Sequence, residues 1–504
     1  MNFTFLNKMG ACPPALIIPL YKNNNLPAAL QKVAALCGID AQLLQQDFKA
    51  EPKEMQRILA ANRRKPDVKQ VFLLGLGNPK SLSDITDAFR SFSFRLKTKL
   101  PDTIGIDLLI ANIDRKNETV NALAEAAANG LLLGTYDIGL YKTDEKKLHP
   151  LNSTNAAVQF YAPAQFAQII TRATQKGAAI AQTQLRMFDL VNGSSSIVTP
   201  EKIGEWATES GKENGFKVTV FHKAQIEELG MNALLAVNRG SELPPTFTVM
   251  EYLPQQLPAN TTLPKIGLIG KGVTFDTGGL NIKLMSMQFM KSDMGGAAAV
   301  LGAMELAAKL QLPVHLIGVI PATDNCVDAK SIKPGDVIGS YSGKTIEVDN
   351  TDAEGRLILA DGICYLNRTY QPDVMIDLAT LTGSCFATFG SKVAGLFSNN
   401  DALARQIYQQ GLKTGELVWQ MPIWDIYGKM IQSDIADIKN NHQPPVAGAI
   451  AAAKFLEFFT EKHPAWAHLD IAGTAFGDSE YSATKSGTAF GVRLLVAYLE
   501  NCGK

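Results

Sequence analysis

Two periods of apolar and polar residues alternate along the chain, and their order predicts an α/β protein. Residues 68–75 (VKQVFLLG) read as a strand, 84–97 as a helix, 104–111 (IGIDLLIA) as a strand and 118–133 as a helix. Together they predict a small α/β unit. The GLGNP at Gly75 to Pro79 lacks a full GxGxxG pattern, and Pro79 stands where a phosphate loop should open its helix, so it reads as a tight turn. A polar stretch broken by Pro150 follows, then a helical pattern from about Pro163 to Leu190 that reads as a link between domains. It stops at Asn192, Gly193 and a serine run, and Thr199-Pro200 reads as the cap and first residue of the next helix. Beyond residue 200, strands at 247–252, 265–269, 314–320, 374–379 and 467–472 alternate with helices such as 294–310 and 355–367. That order predicts a larger C-terminal domain, its mostly parallel central sheet covered by helices, with ligands beyond the carboxyl ends of the strands. The expected divisions are 1–160, a linking helix at 161–192, and 193–504.

A length of 504 residues is too long for one ordinary core, which agrees with more than one domain. Lys plus Arg and Asp plus Glu are both 48, so the chain has no built-in attraction to nucleic acid or to acidic membranes, and neither is an expected partner. No run of 18 uncharged apolar residues appears, and the proline-bearing stretch from Pro13 to Leu20 makes a poor signal peptide. The cysteines, at 12, 37, 326, 364, 385 and 502, form no CxxC pair and read as reduced thiols, Cys364 as packing within a helix. Together these predict a cytoplasmic protein.

Charged groups of a particular kind interrupt two glycine-rich, apolar stretches. Between Gly270 and Ala299 stand Lys271, Asp276, Lys283, Lys291 and Asp293. On its own, Asp293 reads as a cap for the helix that follows. Between Lys344 and Arg356 stand Asp352, Glu354 and Arg356, which share a face if the chain is extended there and remain close together if a helix already begins near Glu354. Asp276, Asp293, Asp352 and Glu354 each fall near a predicted strand end. Four carboxylates around one point repel unless cations neutralise them, and two divalent ions about 3.5–4 Å apart would do so. Oxygen ligands suit Mn²⁺, Mg²⁺ or Zn²⁺ without selecting one. The histidines form no HExxH pair and no GxSxG elbow is present, so a zincin or an α/β-hydrolase site is not expected.

With these residues in view, the chain resembles the leucine aminopeptidase family of two-metal exopeptidases. NTDAEGR at Asn350 to Arg356 carries the likeness most specifically. GKGVTFDTGG from Gly270, DMGGAAA from Asp293, ATLTG from Ala379 and HLDIAG from His468 extend it, with a weaker match at FDLVNG from Phe188. The resemblance is strong over about 186–491 and faint over the first 150 residues. It implies an enzyme that removes single residues from short peptides with a free N-terminus. Lys271, Asp276, Asp293 and Glu354 would hold the tighter metal, and Asp276, Asp352 and Glu354 the exchangeable one, with a backbone carbonyl of Asp352 added. Lys283 would sit beside the scissile carbonyl, and Arg356 would hold bicarbonate as general base. Met290, Thr380, Gly383, Ala472 and Ala475 would line the pocket for an apolar first residue of the Leu or Met kind. A homohexamer is implied as well.

The chain departs from the family pattern in places. Leu284 replaces a proline, the segment from Lys283 to Asp293 is one residue shorter than usual, DNCVDAKS fills Asp324 to Ser331, and Ser194 replaces another proline. All candidate metal ligands remain. Two other readings stay open at this point: a related dipeptidase acting on substrates such as Cys-Gly, and a recruited DNA-binding or structural role of the same fold.

Overall fold

The structure, a computed structural model, describes residues 1–8, 13–59, 70–144, 148–255 and 262–502. Cys12 and the first two residues of the strand expected at 68–75 lie outside them. The chain divides into two units, Met1–Leu185 and Arg186–Lys504, and the division falls within the helix Ala167–Asn192.

The N-terminal unit is built on a six-stranded sheet. In spatial order its strands are Asn2–Leu6, Ala157–Tyr161, Thr103–Asp107, Ala15–Tyr21, Gln70–Gly77 and Met55–Leu59. All pairs are parallel except the last. The run ALIIPLY of Ala15–Tyr21 is buried along almost its whole length, as an interior parallel strand requires. Helix Leu82–Arg95 starts in a capping box between Ser81 and Asp84, and packs Phe92 edge-on against Phe72 of the sheet at 5.2 Å. The strand expected over 104–111 ends early, at Asp107. There Asp107 Oδ1 accepts from the backbone N–H of Leu109 and Ile110 at 2.7 and 3.0 Å, turning the chain. Gly75 is needed because a Cβ there would lie 2.1 Å from the carbonyl oxygen of Glu51. The glycine serves close backbone packing within the strand, which runs on to Gly77, so the turn expected from Gly75 begins only after it.

The C-terminal unit carries a nine-stranded sheet. The order runs Leu417–Gln420, Val393–Ser398, Trp466–Asp470, Val374–Ala379, Lys265–Gly270, His315–Asn325, Thr246–Tyr252, Lys217–His222, with Gly272–Asp276 also pairing His315–Asn325. The four strands from Trp466–Asp470 to His315–Asn325 are mutually parallel, so their carboxyl ends share one edge. Antiparallel pairing begins only outside this group. Two glycines on strand Lys265–Gly270 show how helices flank it. A Cβ on Gly270 would strike the start of helix Gly295–Lys309, and one on Gly267 would strike Leu366 of helix Gly355–Tyr370. Positions three apart on a strand face opposite sides, so the two helices cover opposite faces. Thr199 caps helix Pro200–Asn214 through the N–H of Lys202, with Pro200 in its first turn. No helix among the described residues is long and apolar enough to cross a membrane.

Asp361, fully buried on helix Gly355–Tyr370, knits this unit together. Its Oδ2 accepts from the N–H of Ala233 and Leu234, at the open start of helix Asn232–Asn238, and its Oδ1 accepts from Tyr341 N at 2.7 Å. Asp361→Ala should therefore leave three buried N–H groups without a partner and cost about 3 kcal/mol or more, read as a shift of the urea midpoint. Burial pushes the folded carboxyl up to about 7, above its unfolded value of about 3.9, so ionising it opposes folding. The stability gap between wild type and Asp361→Asn should accordingly narrow as pH rises from about 4 through about 7. A gap that stays constant over this range would contradict the assignment.

Candidate active site

The carboxyl edge of the parallel strands gathers the charged residues singled out in the sequence. Lys271 directly follows strand Lys265–Gly270, its N–H bonded to Leu378 O at 3.0 Å and its carbonyl to Ala297 N at 2.9 Å. Asp276 closes strand Gly272–Asp276. Lys283 is anchored through its N–H to Thr277 O at 2.8 Å. Asp293 ends the 3₁₀ turn Met287–Ser292, and Asp352 and Glu354 lead into helix Gly355–Tyr370.

Each lysine bridges two acids. Lys271 Nζ lies 2.7 Å from Asp293 Oδ2 and 2.8 Å from Glu354 Oε1. Lys283 Nζ lies 2.7 Å from Asp276 Oδ2 and donates to Asp352 Oδ1. The sequence left two readings open for Asp293, and the structure selects one. Asp293 does not cap the helix: its Oδ1 accepts from Thr380 Oγ1 at 2.7 Å while its Oδ2 faces Lys271. Nor is the chain extended through Asp352, Glu354 and Arg356. Glu354 already has helical angles, which places Arg356 in the first turn of the helix. Gly355 between them is required by close approach, since a Cβ there would lie 2.5 Å from Lys271 Cε.

Burial and charge act against each other throughout the cluster. Burial, with Glu354 and Asp293 close by, holds Asp276 well above the usual carboxylate range. Burial pushes Asp293 up to about 7 against the pull of Lys271. Asp352 is raised by burial and by Glu354. Burial would raise Glu354 too, but Lys271 and Lys283 prevail and hold it below its ordinary value. Both lysines stay above the ordinary amine value although burial opposes this, Lys271 chiefly through Asp293 and Glu354 and Lys283 chiefly through Asp276 and Glu354.

These residues fit divalent cations. With all four carboxylates ionised, the two ammonium groups leave two negative charges in excess. Ligand oxygens of Asp276, Asp352 and Glu354 lie within 4.8 Å of one another. Lys271 also donates to Thr380 O at 3.0 Å, and Asp293 Oδ2 and Glu354 Oε1 are buried with no partner beyond that one ammonium among the described residues. Buried acceptors left in this state are suited to a metal ion. Asp352, with 34% of its side chain exposed, is the solvent-facing edge of the group; the other three acids are nearly buried.

The remaining candidates lie around this cluster. Arg356 is buried, donates from Nη1 to Asn440 O at 2.6 Å, and has no partner for Nε among the described residues. Burial lowers its pKa to about 10. Thr380 and Ala475 flank Gly295, where a Cβ would lie 3.4 and 2.8 Å from their side chains. A Cβ on Gly383 would meet open space. Ala472 N bonds Asp470 Oδ1 at 3.2 Å, the same oxygen that accepts from Leu381 and Thr382. Met290 is half-buried in the turn that leads to Asp293. A cleft of about 1110 Å³ bordered by Ser342, Lys454, Glu457 and His463 contains none of these residues. His315 pairs with Glu251 and His468 with Asp377, in structural roles.

Three residues to which the sequence assigned no site role support the cluster. Asn325 Nδ2 donates to Asp276 Oδ1 at 2.9 Å and to Thr351 O at 3.1 Å. Asp470 gathers the Leu381–Thr382 turn. Asn440 binds the loop that carries Asp352. Asn325 would have been visible had the strand expected at 314–320 been carried to its observed end, because the carboxyl edge of the sheet is where such residues gather. No local signal marks Asn440.

Residues 186–496 match the model of the cytosol aminopeptidase family, catalytic domain, and residues 17–145 match the N-terminal domain of the same family. A probable cytosol aminopeptidase of Chloroherpeton thalassium is 45% identical, over 97% of this chain and 96% of its own length. One from Chlorobaculum parvum is 40% identical over 99% of this chain and all of its own. Among solved structures, the bottromycin maturation enzyme BotP matches with a TM-score of 0.80 and 28% identity, over 97% of this chain and 99% of that one. The likeness thus reaches the first 150 residues, where the sequence motifs are faint. The chain belongs to the cytosol aminopeptidase family and is a metallo-aminopeptidase of the leucine type.

Proposed function

We propose that the chain hydrolyses the N-terminal peptide bond of short peptides with a free α-amine, preferring apolar first residues such as Leu and Met. The observation that carries this reading is the pair of lysines, each set between two carboxylates at the carboxyl edge of the sheet. Lys271, Asp276, Asp293 and Glu354 would hold the tighter of two divalent ions, Mn²⁺ or Zn²⁺ with Mg²⁺ as a further option. Asp276, Asp352 and Glu354, with the carbonyl of Asp352, would hold the exchangeable one. The exposure of Asp352 supports that order. When bound, the ions supply Lewis acidity for the hydrolysis. The ammonium of Lys283 would donate to the oxyanion that develops on the scissile carbonyl. Arg356, with its unpaired Nε, is suited to hold bicarbonate as general base. Action in the cytoplasm as a homohexamer belongs to the same reading.

Chelation should abolish hydrolysis of a Leu dipeptide, and added Mn²⁺, Zn²⁺ or Mg²⁺ should restore it, while the N-acetylated form of the same peptide stays intact. Equal cleavage of both forms would rule out an aminopeptidase.

The roles separate by substitution. Asp293→Ala or Glu354→Ala should lose metal and activity together. Lys283→Ala should keep its metal and lose about 10²-fold or more in kcat, as for a lost oxyanion donor. Arg356→Ala should keep its metal with a smaller loss. Full activity in Lys283→Ala would show that the oxyanion donor lies elsewhere.

The pocket of Met290, Thr380, Gly383, Ala472 and Ala475 carries no charged side chain, so a Glu first residue should be a poor substrate. Ala475 is nearly buried beside Gly295, and a longer side chain there would narrow the pocket. Ala475→Met should lower kcat/KM on N-terminal Phe more than on N-terminal Leu, by an amount on the order of 1–3 kcal/mol per methylene of misfit. An unchanged Phe to Leu ratio would move the pocket to other residues.

A further inference from the structure

Between strand Thr345–Glu347 and helix Gly355–Tyr370 the chain runs through Val348 to Glu354 without regular structure. This loop carries Asp352. Its internal support is slight: Asp352 N bonds Asn350 Oδ1 at 2.8 Å, and Ala353 N bonds Asn350 O at 3.3 Å. Thr351 is tied to Asn281 and Gly278 and, through its carbonyl, to Asn325, and Asn441 reaches the Asp349 carboxylate. The backbone on either side of Thr351 is held by one residue about ninety positions further along the chain. Asn440 follows the short strand Ile438–Lys439, which pairs with Thr345–Glu347, and its N–H prolongs that pairing by donating to Glu347 O at 2.9 Å. Its Oδ1 accepts from Asp349 N at 2.8 Å and Asn350 N at 3.2 Å. Its Nδ2 donates to Asn350 O at 2.7 Å and Ala353 O at 3.2 Å. Its own carbonyl accepts from Arg356 Nη1 at 2.6 Å. The residue is fully buried. A side-chain amide offers two donors and a carbonyl with two lone pairs. All four are matched here, so the amide has one orientation and fixes the Asp349–Ala353 backbone at four points.

The other acids do not depend on this residue. Asp276 ends a strand and is fixed by Asn325, and Asp293 is fixed by Thr380. Glu354 stands at the start of a packed helix. We propose that Asn440 is the positioning residue that sets Asp352 and Arg356 in register with the rest of the catalytic cluster. This rests on the two-metal reading above, in which Asp352 belongs only to the exchangeable ion. Residues that orient a metal ligand through hydrogen bonds change affinity when removed, even though they never touch the ion. Loss of Asn440 therefore weakens one metal class and spares the other. A general loss of fold would not discriminate between them.

The test is calorimetric titration of metal-stripped, full-length protein with Mn²⁺, in wild type, Asn440→Ala and Asn440→Asp. The Asp variant keeps volume but turns an acceptor toward Asn350 O and Ala353 O. In both variants the weaker class should lose about 10- to 100-fold in affinity while the tighter class is unchanged. Hydrolysis of a Leu dipeptide should fall at low Mn²⁺ and recover in part as Mn²⁺ is raised. Near-ultraviolet circular dichroism of the stripped proteins should match wild type. Equal weakening of both classes, weakening of neither, or loss of folded structure in both variants overturns the proposal. Wild-type protein that binds no metal would overturn the two-metal reading as well, which separates the two failures.

Discussion

Asp276, Asp293, Asp352 and Glu354 bring four negative charges to one rim of the C-terminal sheet. Two such charges 4 Å apart repel by roughly 4 kcal/mol at an effective dielectric constant of about 20. Without counter-charges the rim could not close. Lys271 and Lys283 supply them, each reaching between two acids, and this explains why both amines stay above their ordinary pKa although burial opposes it. The neutralisation is incomplete, because four acids face two ammonium groups. That deficit, together with buried acid oxygens that have only the Lys271 ammonium for a partner, is the physical demand a divalent ion meets. A site so arranged is costly to the fold and useful to the chemistry.

The scaffold places the charges by topology rather than by local sequence. Four parallel strands end on one edge, and the chain leaves each of them near a residue of the cluster: Lys271 after one, Asn325 at the end of the next, Thr380 after the third, Asp470 at the last. The packing that lets them converge is tight enough to restrict single positions. Lys271 crosses Gly355 so closely that no side chain fits there. The glycine within NTDAEGR is thus a steric requirement of the lysine pairing, and it ties the motif around Gly270 to the motif around Glu354.

This division explains what could be read in advance. Periodicity located several helices and the central strands of the C-terminal sheet, because amphipathic and fully buried segments leave their pattern in the sequence, but it passed over the buried strand Ala15–Tyr21. It failed where side chains redirect the backbone: Asp107 ends its strand by binding the N–H groups of Leu109 and Ile110, which an apolar count over IGIDLLIA cannot register. The acids and lysines were legible because charge is rare in glycine-rich, apolar runs. Their supports were not. Asn440 is an ordinary polar residue in an irregular stretch, and only the fold brings it to Asp349–Ala353. Whether Glu354 lay on a strand or in a helix could not be settled from spacing alone, since both keep Asp352 and Arg356 near it.

The departures from the family pattern take on a physical sense in the same frame. The altered stretch Asp324 to Ser331 folds largely on its own side chains. Asp328 N donates to Ser331 Oγ, Ser331 Oγ donates to Cys326 O, and the Cys326 thiol donates to Asp324 Oδ2. Within that stretch only Asn325 is shown hydrogen-bonding to an acid of the cluster, Asp276. Leu284, in place of the proline, is 91% exposed, while Lys283 just before it is held by its backbone to Thr277 and by its ammonium to two acids. The chain thus varies where side chains satisfy one another or meet solvent, and keeps its residue types where they meet the buried charges. Changes of the first kind can reshape the rim over which a peptide passes without disturbing the balance of charge beneath it.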